Sequence, residues 1–157
     1  MALYKPNLAW LIEELQSIRD QTYKQFKVLV WNDYPEDCYD YNSLFSKILG
    51  DIPFKIYKGD KNEGSNKAFE HLTAKVETEY IAYCDQDDIW MPNKLEVLRE
   101  LLLPPNNTLS FSDMMVIDKN SNVTAKNIQE VRPRQIFHPG KDALKYLLAK
   151  NFVTGCT

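Results

Sequence analysis

The pattern of hydrophobic and polar positions alternates between helical and strand-like segments along the chain. Apolar residues recur three or four positions apart in four segments, which predicts helices over residues 8–18, 41–49, 65–75 and 94–103. Runs of β-branched and aromatic residues between them predict strands over residues 26–31, 54–57 and 80–84. Strands that alternate with helices indicate right-handed βαβ crossovers, so the pattern predicts an α/β fold with a mostly parallel sheet flanked by helices.

Capping residues support several of these boundaries. Asn7 and Asn93 suit the N-caps of the first and fourth helices. Gly50 suits the C-cap of the second helix, and Pro104 and Pro105 stop the fourth. Beyond them the pattern predicts strands over residues 108–111 and 115–117, a long polar loop over 119–135 and a last helix over 141–150. These elements predict one domain over residues 1–157.

Composition and charge exclude several classes of protein. The chain has 157 residues, of which 44% are hydrophobic and 26% charged, so it can bury a core. Nineteen basic residues against 22 acidic ones give a net charge of −3, which opposes a nucleic-acid partner. No apolar run approaches the roughly 20 residues of a membrane helix, and no signal peptide opens the chain. Three widely spaced cysteines (Cys38, Cys84 and Cys156) favour a reducing cytoplasm over a disulfide scaffold or zinc site.

An acidic segment directly follows the strand predicted over residues 80–84. Asp85-Gln86-Asp87-Asp88 places three carboxylates in four residues, which repel one another unless a cation or solvent offsets their charge. Oxygen ligands suit Mg²⁺ or Mn²⁺, and alternate side chains of an extended segment point the same way. Asp85 and Asp87 are therefore candidate metal ligands. The alternative is a solvated acidic turn that caps the next helix, and the hydrophobic residues on both sides of the segment weaken it.

Two further polar segments follow predicted strands. Asp33 comes after the strand over residues 26–31, where a carboxylate accepts hydrogen bonds from a base or ribose in nucleotide-binding folds. Gly64 and Lys67 open the helix over residues 65–75, where backbone N–H groups and a cation favour anions. The alternatives are an ordinary turn residue and an ordinary helix start. Because ligands bind beyond the carboxyl ends of parallel strands, we expect three segments that directly follow predicted strands on one rim of the sheet: Asp33, residues 58–60 and residues 85–88.

These segments and their order resemble the family 2 glycosyltransferases, which have the Rossmann-like GT-A fold. Residues 17–23 (SIRDQTY) resemble the family's S-I-L-x-Q-T-Y segment, and residues 84–90 (CDQDDIW) resemble its D-x-D motif. Residues 111–113 and 116–118 (FSD and VID) are similar to its Y-S-D…V-I-D segment. Residues 151–156 (NFVTGC) resemble the stretch where the acceptor side begins. The form of these motifs is most similar to bacterial enzymes that make rhamnose-containing or other cell-surface polysaccharides.

The resemblance implies transfer of a sugar from a UDP- or dTDP-sugar to a saccharide or lipid-linked saccharide hydroxyl, with inversion at the anomeric carbon. It implies that Asp33 holds the base, that Gly64 and Lys67 lie near the donor, and that Gln86 lies near the ribose. It also implies that Asp87, helped by Asp85, binds Mn²⁺ or Mg²⁺. The competing hypotheses are a non-catalytic interaction domain and a nucleotidyltransferase, and the absence of a Gly-rich, Arg-bearing first loop opposes the latter.

The sequence also departs from the family pattern. The usual Asp-Asp-Gly-Ser is replaced by Asn32-Asp33-Tyr34-Pro35, and residues 1–4 resemble only the last part of the family's first strand. The family places its acidic catalytic base beyond the position of Thr157. We therefore expect a donor-binding portion that does not transfer sugar by itself and that forms a homo-oligomer through exposed edges or apolar surface. Peripheral membrane association of the intact protein fits the same resemblance.

Overall fold

The computed structural model describes residues 1–103 and 109–131. Its main sheet has three parallel strands in the order β1 (Ala2–Leu3), β2 (Val28–Asn32) and β3 (Phe54–Lys58). In its register Ala2 lies opposite Trp31, and Val28 lies opposite Phe54. The chain crosses between these strands through helices. The predicted α/β class with a parallel sheet is therefore confirmed.

Four helices accompany the sheet: α1 (Leu8–Arg19), α2 (Tyr41–Leu49), α3 (Ser65–Thr73) and α4 (Lys94–Leu102). The Asn7 side chain accepts hydrogen bonds from the backbone N–H groups of Ala9 and Trp10, which confirms the predicted N-cap of α1. Gly50 follows α2 with φ of 60°, a left-handed conformation that favours glycine. Each helix lies within two residues of its predicted bounds, because caps and periodicity are local signals.

The two faces of the sheet bury different side chains. Alternate residues of β2 are buried on one face, where Val30 joins residues of α1 and α2 in a single core. The largest members of that core with almost no exposed surface are Leu3, Leu11, Leu15, Phe45 and Leu49. On the other face the Trp31 ring stacks on His71 of α3, with ring centroids 4.3 Å apart. Helices therefore cover both faces of β2.

The strand predicted over residues 80–84 does not form. The segment contributes no strand to the sheet, and Tyr80, Ile81 and Tyr83 are exposed while Cys84 is buried. β1 is only two residues long, so its outer edge offers little backbone for a fourth strand. Beyond it, the Gln86 side-chain amide bonds both the backbone N–H and the C=O of Tyr4. A side chain therefore occupies the groups that a pairing strand would use.

The chain divides into two compact units, Met1–Asn107 and Thr108–Thr157. In the second, β4 (Val116–Ile117) pairs antiparallel with β5 (Val123–Ala125), and α5 (Ile128–Val131) follows. The prediction of a strand over residues 115–117 is confirmed, but the predicted loop over 119–135 is wrong where β5 and α5 form. The Asp118 carboxylate accepts the N–H groups of Asn120 and Asn122 and closes the turn between β4 and β5.

The remaining predictions for the second unit have different outcomes. Residues 109–111 form no strand, and the predicted helix over 141–150 lies outside the described residues. The single domain over residues 1–157 stays a prediction. None of the helices in the described residues is long and apolar enough to cross a bilayer.

Candidate functional site

Gln86 anchors the acidic loop, which we define as residues 85–88, to the end of β1. Its Nε2 donates to the Tyr4 carbonyl oxygen at 3.1 Å, and its Oε1 accepts from the Tyr4 N–H at 2.8 Å. The amide thus holds the loop against the carboxyl end of the strand with one bond that it donates and one that it accepts. The ribose contact that the resemblance implies for Gln86 stays a prediction.

Helix α1 holds the same loop from the core side. Glu14 has no exposed surface, and its carboxylate accepts from the Cys84 thiol at 2.6 Å and from the Asp88 N–H at 3.1 Å. One turn further on, the Ser17 hydroxyl oxygen accepts from the Trp90 N–H at 3.0 Å. Glu14 and Ser17 are three residues apart, so they lie on one helical face.

Just beyond the end of α1, Gln21 continues this polar contact with the segment after the acidic loop. Gln21 is also fully buried; its side chain donates to the Met91 carbonyl oxygen at 2.8 Å and accepts from the Leu95 N–H at 3.0 Å. The sequence analysis did not single out Glu14. The available signal was the polar spacing of residues 14, 17 and 21 beside the apolar positions of the helix.

The acidic loop concentrates negative charge that the protein leaves partly uncompensated. Burial, then the charges of Asp85 and Asp87, raise the pKa of Asp88 to about 6. Burial, followed by the Asp87 charge, also raises the pKa of Asp85. Across the described residues, no hydrogen-bond partner reaches the buried Oδ2 of Asp88. Burial is also the main cause that raises the pKa of Glu14 to about 8.

The donor atoms of this loop fit a cation that is shared with a bound anion. Within residues 1–103 and 109–131, no three His, Cys, Asp or Glu side chains are grouped so that they could hold a metal by themselves. Mg²⁺ commonly takes only one or two protein carboxylates and completes its shell with water and phosphate oxygens. Asp85 and Asp87, with the unpartnered oxygen of Asp88 beside them, match that kind of site rather than a closed metal cage.

Asp33 ties the end of β2 to the start of α3. It is 2% exposed, and its backbone N–H donates to the Leu3 carbonyl oxygen at 2.8 Å. Its carboxylate accepts from the Glu63 N–H at 3.1 Å and from the Gly64 N–H at 2.7 Å. Asp33 thus bonds residues 30 and 31 positions further along the chain, so its carboxylate stabilises a tertiary contact and not its own turn. Its contact with a base stays a prediction.

Gly64 and Lys67 open α3 next to Asp33. Gly64 is the N-cap residue with φ of 85°, so the backbone conformation there favours glycine. A Cβ on Gly64 would meet nothing within 4 Å, so close packing does not require glycine at this position. Lys67 lies exposed in the first turn, and its Nζ donates to Glu70 Oε2 at 2.6 Å.

The polar segments therefore meet at the carboxyl ends of the strands. The acidic loop bonds at the end of β1, Asp33 follows β2, and the Glu63–Gly64 turn follows β3. Lys5 adds a cation at this rim that the sequence analysis did not single out. Its Nζ lies 4.8 Å from the ring centroid of Tyr34 and 5.3 Å from that of Tyr4.

Comparison with models of known protein families shows to which family this chain belongs. The family model described as glycosyl transferase family 2 matches residues 4–157. The chain belongs to glycosyl transferase family 2. This confirms the resemblance seen in the sequence, and the parallel sheet flanked by helices agrees with the GT-A fold.

Curated relatives of this family 2 chain carry glycosyltransferase names. It is 28% identical over 108 residues to the UDP-Glc:alpha-D-GlcNAc-diphosphoundecaprenol beta-1,3-glucosyltransferase WfgD of Escherichia coli, covering 68% of this chain and 41% of that protein. It is 29% identical over 124 residues to the dTDP-rhamnosyl transferase RfbG of Shigella flexneri, covering 74% and 41% respectively. A glycosyltransferase of Rickettsia bellii is 27% identical over 94% of this chain and 21% of its own length. The chain thus spans less than half the length of these relatives.

Proposed function

We propose that this chain is the nucleotide-sugar-binding portion of a metal-dependent, inverting glycosyltransferase of bacterial polysaccharide synthesis. The observation that carries the proposal is the acidic loop, whose mutually repelling carboxylates, with Asp85 and Asp88 half-buried, are fixed at the end of β1 in a family 2 chain. Groups held in this way are characteristic of functional sites rather than of solvated turns. The names of the relatives from E. coli and S. flexneri support UDP- or dTDP-sugars as donors and saccharides or lipid-linked saccharides as acceptors.

The residues of the rim divide the work of binding the donor. Asp87, with Asp85, would hold Mn²⁺ or Mg²⁺. The bound cation would supply positive charge to the diphosphate leaving group. Asp33 fixes the turn at Gly64, so that the start of α3 and Lys67 present N–H groups and a positive charge to an anion. We further propose that Asp33 contacts the base and Gln86 the ribose.

The reaction that follows donor binding needs a base to activate the acceptor hydroxyl, a contribution of about 10²–10⁴-fold in rate. We propose that this base lies in the part of the protein that follows the donor-binding residues, as the family resemblance implies. On this proposal the chain binds the donor in the cytoplasm through the residues of the rim.

Calorimetric titration with UDP and dTDP, with and without Mn²⁺, tests the proposed function. We expect Mn²⁺-dependent binding of one of the two diphosphates to the parent. In Asp87→Ala we expect the affinity for that diphosphate to fall about 100-fold, because loss of an outer-shell partner of a metal site already costs up to about that much. Asp51→Ala, which removes an exposed aspartate that precedes β3 at the opposite end of the strand, is the matched control. Equal nucleotide affinity in Asp87→Ala and the parent would contradict the proposed role of Asp87 as a metal ligand. Binding of neither diphosphate by the parent would favour a non-catalytic interaction domain.

A further inference from the structure

The most unusual buried group in the first unit lies outside the rim itself. Glu14 is an acidic residue in the middle of α1, and its side chain has no exposed surface. Glutamate is almost never fully buried without partners, since burial removes the hydration that stabilises its charged form. The other buried residues of α1, Leu11, Leu15 and Ile18, are apolar. Packing alone does not explain a carboxyl group at this position.

The contacts of Glu14 all lead to the acidic loop. One carboxylate oxygen accepts from the thiol of Cys84, the residue that immediately precedes the loop. The other accepts from the backbone N–H of Asp88, the last residue of the loop. A single side chain thus bonds both ends of a segment that is 70 to 74 residues away in sequence.

Ser17 extends this contact by one helical turn. Its hydroxyl oxygen accepts from the Trp90 N–H at 3.0 Å, and its hydroxyl donates to the Glu14 carbonyl oxygen at 2.7 Å. The backbone of residues 88–90 is therefore held at two points by one face of a rigid helix. Three neighbouring carboxylates repel one another, so a loop without such bonds would spread them apart.

We propose that Glu14, supported by Ser17, is a positioning residue that sets the geometry of the acidic loop for binding a nucleoside diphosphate with its cation. The inference rests on the proposed function, because it assigns to α1 the task of orienting the carboxylates that bind the donor. Glu14 does not touch the donor. It acts through the backbone of Asp88 and the start of the loop, as the outer partners of metal ligands do.

Substitutions at Glu14 separate positioning from packing. Glu14→Leu keeps the approximate volume and removes both acceptors, so the Asp88 N–H and the Cys84 thiol lose their partner and the variant should be less stable than the parent. We expect a folded variant that binds UDP or dTDP with Mn²⁺ about 10- to 100-fold more weakly. Glu14→Gln retains an acceptor for the Asp88 N–H and should recover most of the affinity. Glu100→Gln, the same change at an exposed residue of α4, should bind as the parent does.

Hydrogen exchange gives a readout that does not depend on the nucleotide. Amides of residues 85–90 should exchange at least about tenfold faster in Glu14→Leu than in the parent, because the loop loses its attachment to α1. Amides of β2 and β3 should keep their exchange rates. Where Glu14→Leu fails to fold, Ser17→Ala carries the test, with faster exchange at residues 88–90 and weaker nucleotide binding expected.

The two proposals fail in different ways. If the parent binds neither diphosphate with Mn²⁺, the proposed function is contradicted, and exchange of residues 85–90 decides the positioning role by itself. Unchanged exchange in Glu14→Leu would overturn the positioning role whatever the nucleotide result. Parent-like nucleotide affinity in a folded Glu14→Leu protein, or in Ser17→Ala where the leucine variant does not fold, would overturn it as well.

Discussion

Asp33 and the acidic loop lie at the same rim of the sheet, but the protein treats their charges in opposite ways. The Asp33 carboxylate accepts from the N–H groups of Glu63 and Gly64, and the side chain is almost completely buried. In the acidic loop the Asp88 Oδ2 is buried and, over the described part of the chain, bonds to nothing. The pKa of Asp88 rises to about 6 for this reason and because of its acidic neighbours.

This difference separates an acid that the backbone satisfies from an acid that the fold leaves partly unsatisfied. A carboxylate that the backbone satisfies stabilises the fold, and its removal leaves donors without partners. A carboxylate that burial and like charges destabilise costs the fold free energy, and a ligand that neutralises it recovers that cost. Two acids that look alike in the sequence therefore predict opposite effects when they are neutralised.

The largest expected effect is the pH dependence that Glu14 gives to stability. Its pKa is about 8 in the folded protein against 4.5 ordinarily, so the folded state binds more protons between these values. The free energy of unfolding should therefore fall as the pH rises from about 5 to 8, by on the order of 4 kcal/mol at about 1.4 kcal/mol per pKa unit. Urea denaturation at several pH values measures this fall, and Glu14→Gln should remove most of it. An equally steep fall in the variant would assign the effect to other groups.

The second effect concerns the satisfied acid. Asp33→Ala should lower the free energy of unfolding by about 1–3 kcal/mol, because the N–H groups of Glu63 and Gly64 lose their acceptor. Asp60→Ala, at an exposed position beyond β3, should leave it unchanged. Urea denaturation compares the two variants. If Asp33→Ala were as stable as the parent, the hydrogen bonds between the Asp33 carboxylate and the start of α3 would contribute nothing to the free energy of unfolding.

The same variant also sharpens the base-binding proposal for Asp33. Where Asp33→Ala remains folded, calorimetry should show weaker binding of UDP or dTDP but unchanged binding of Mn²⁺. Nucleotide affinity equal to that of the parent would contradict the proposed contact between Asp33 and the base.

The smallest effect should have the opposite sign. Asp88→Asn keeps the size of the side chain and removes a charge that is costly above its raised pKa of about 6. At pH 7.5 without divalent cations we expect a gain of about 1 kcal/mol in the free energy of unfolding, after discounting the pKa shift for partial solvent screening. Thermal denaturation against Asp60→Asn as the control would detect the gain. A loss of stability would show that the acidic loop, like Asp33, is a satisfied structural element.

The sequence by itself determined the features that depend on near neighbours. The helix predicted over residues 41–49 is α2, and the predicted N-cap Asn7 bonds the first turn of α1. Periodicity and capping work over three or four residues, so they are visible in a linear pattern. The short polar and acidic motifs, taken together in their order along the chain, similarly indicated the family that the comparison then confirmed.

Only the tertiary structure decided which polar groups are satisfied and by what. In the sequence nothing distinguishes Glu14 from the other acidic residue of α1. Its partners Cys84 and Asp88 lie 70 and 74 residues away and contact it only in the folded chain. The segment over residues 80–84 has the composition of a strand, but its pairing depended on an edge that the two-residue β1 does not offer. Burial and strand pairing are properties of distant contacts, and their free energies override local propensity. For this reason the sequence located the acids of the rim, and the fold decided which of them receive hydrogen bonds from the backbone.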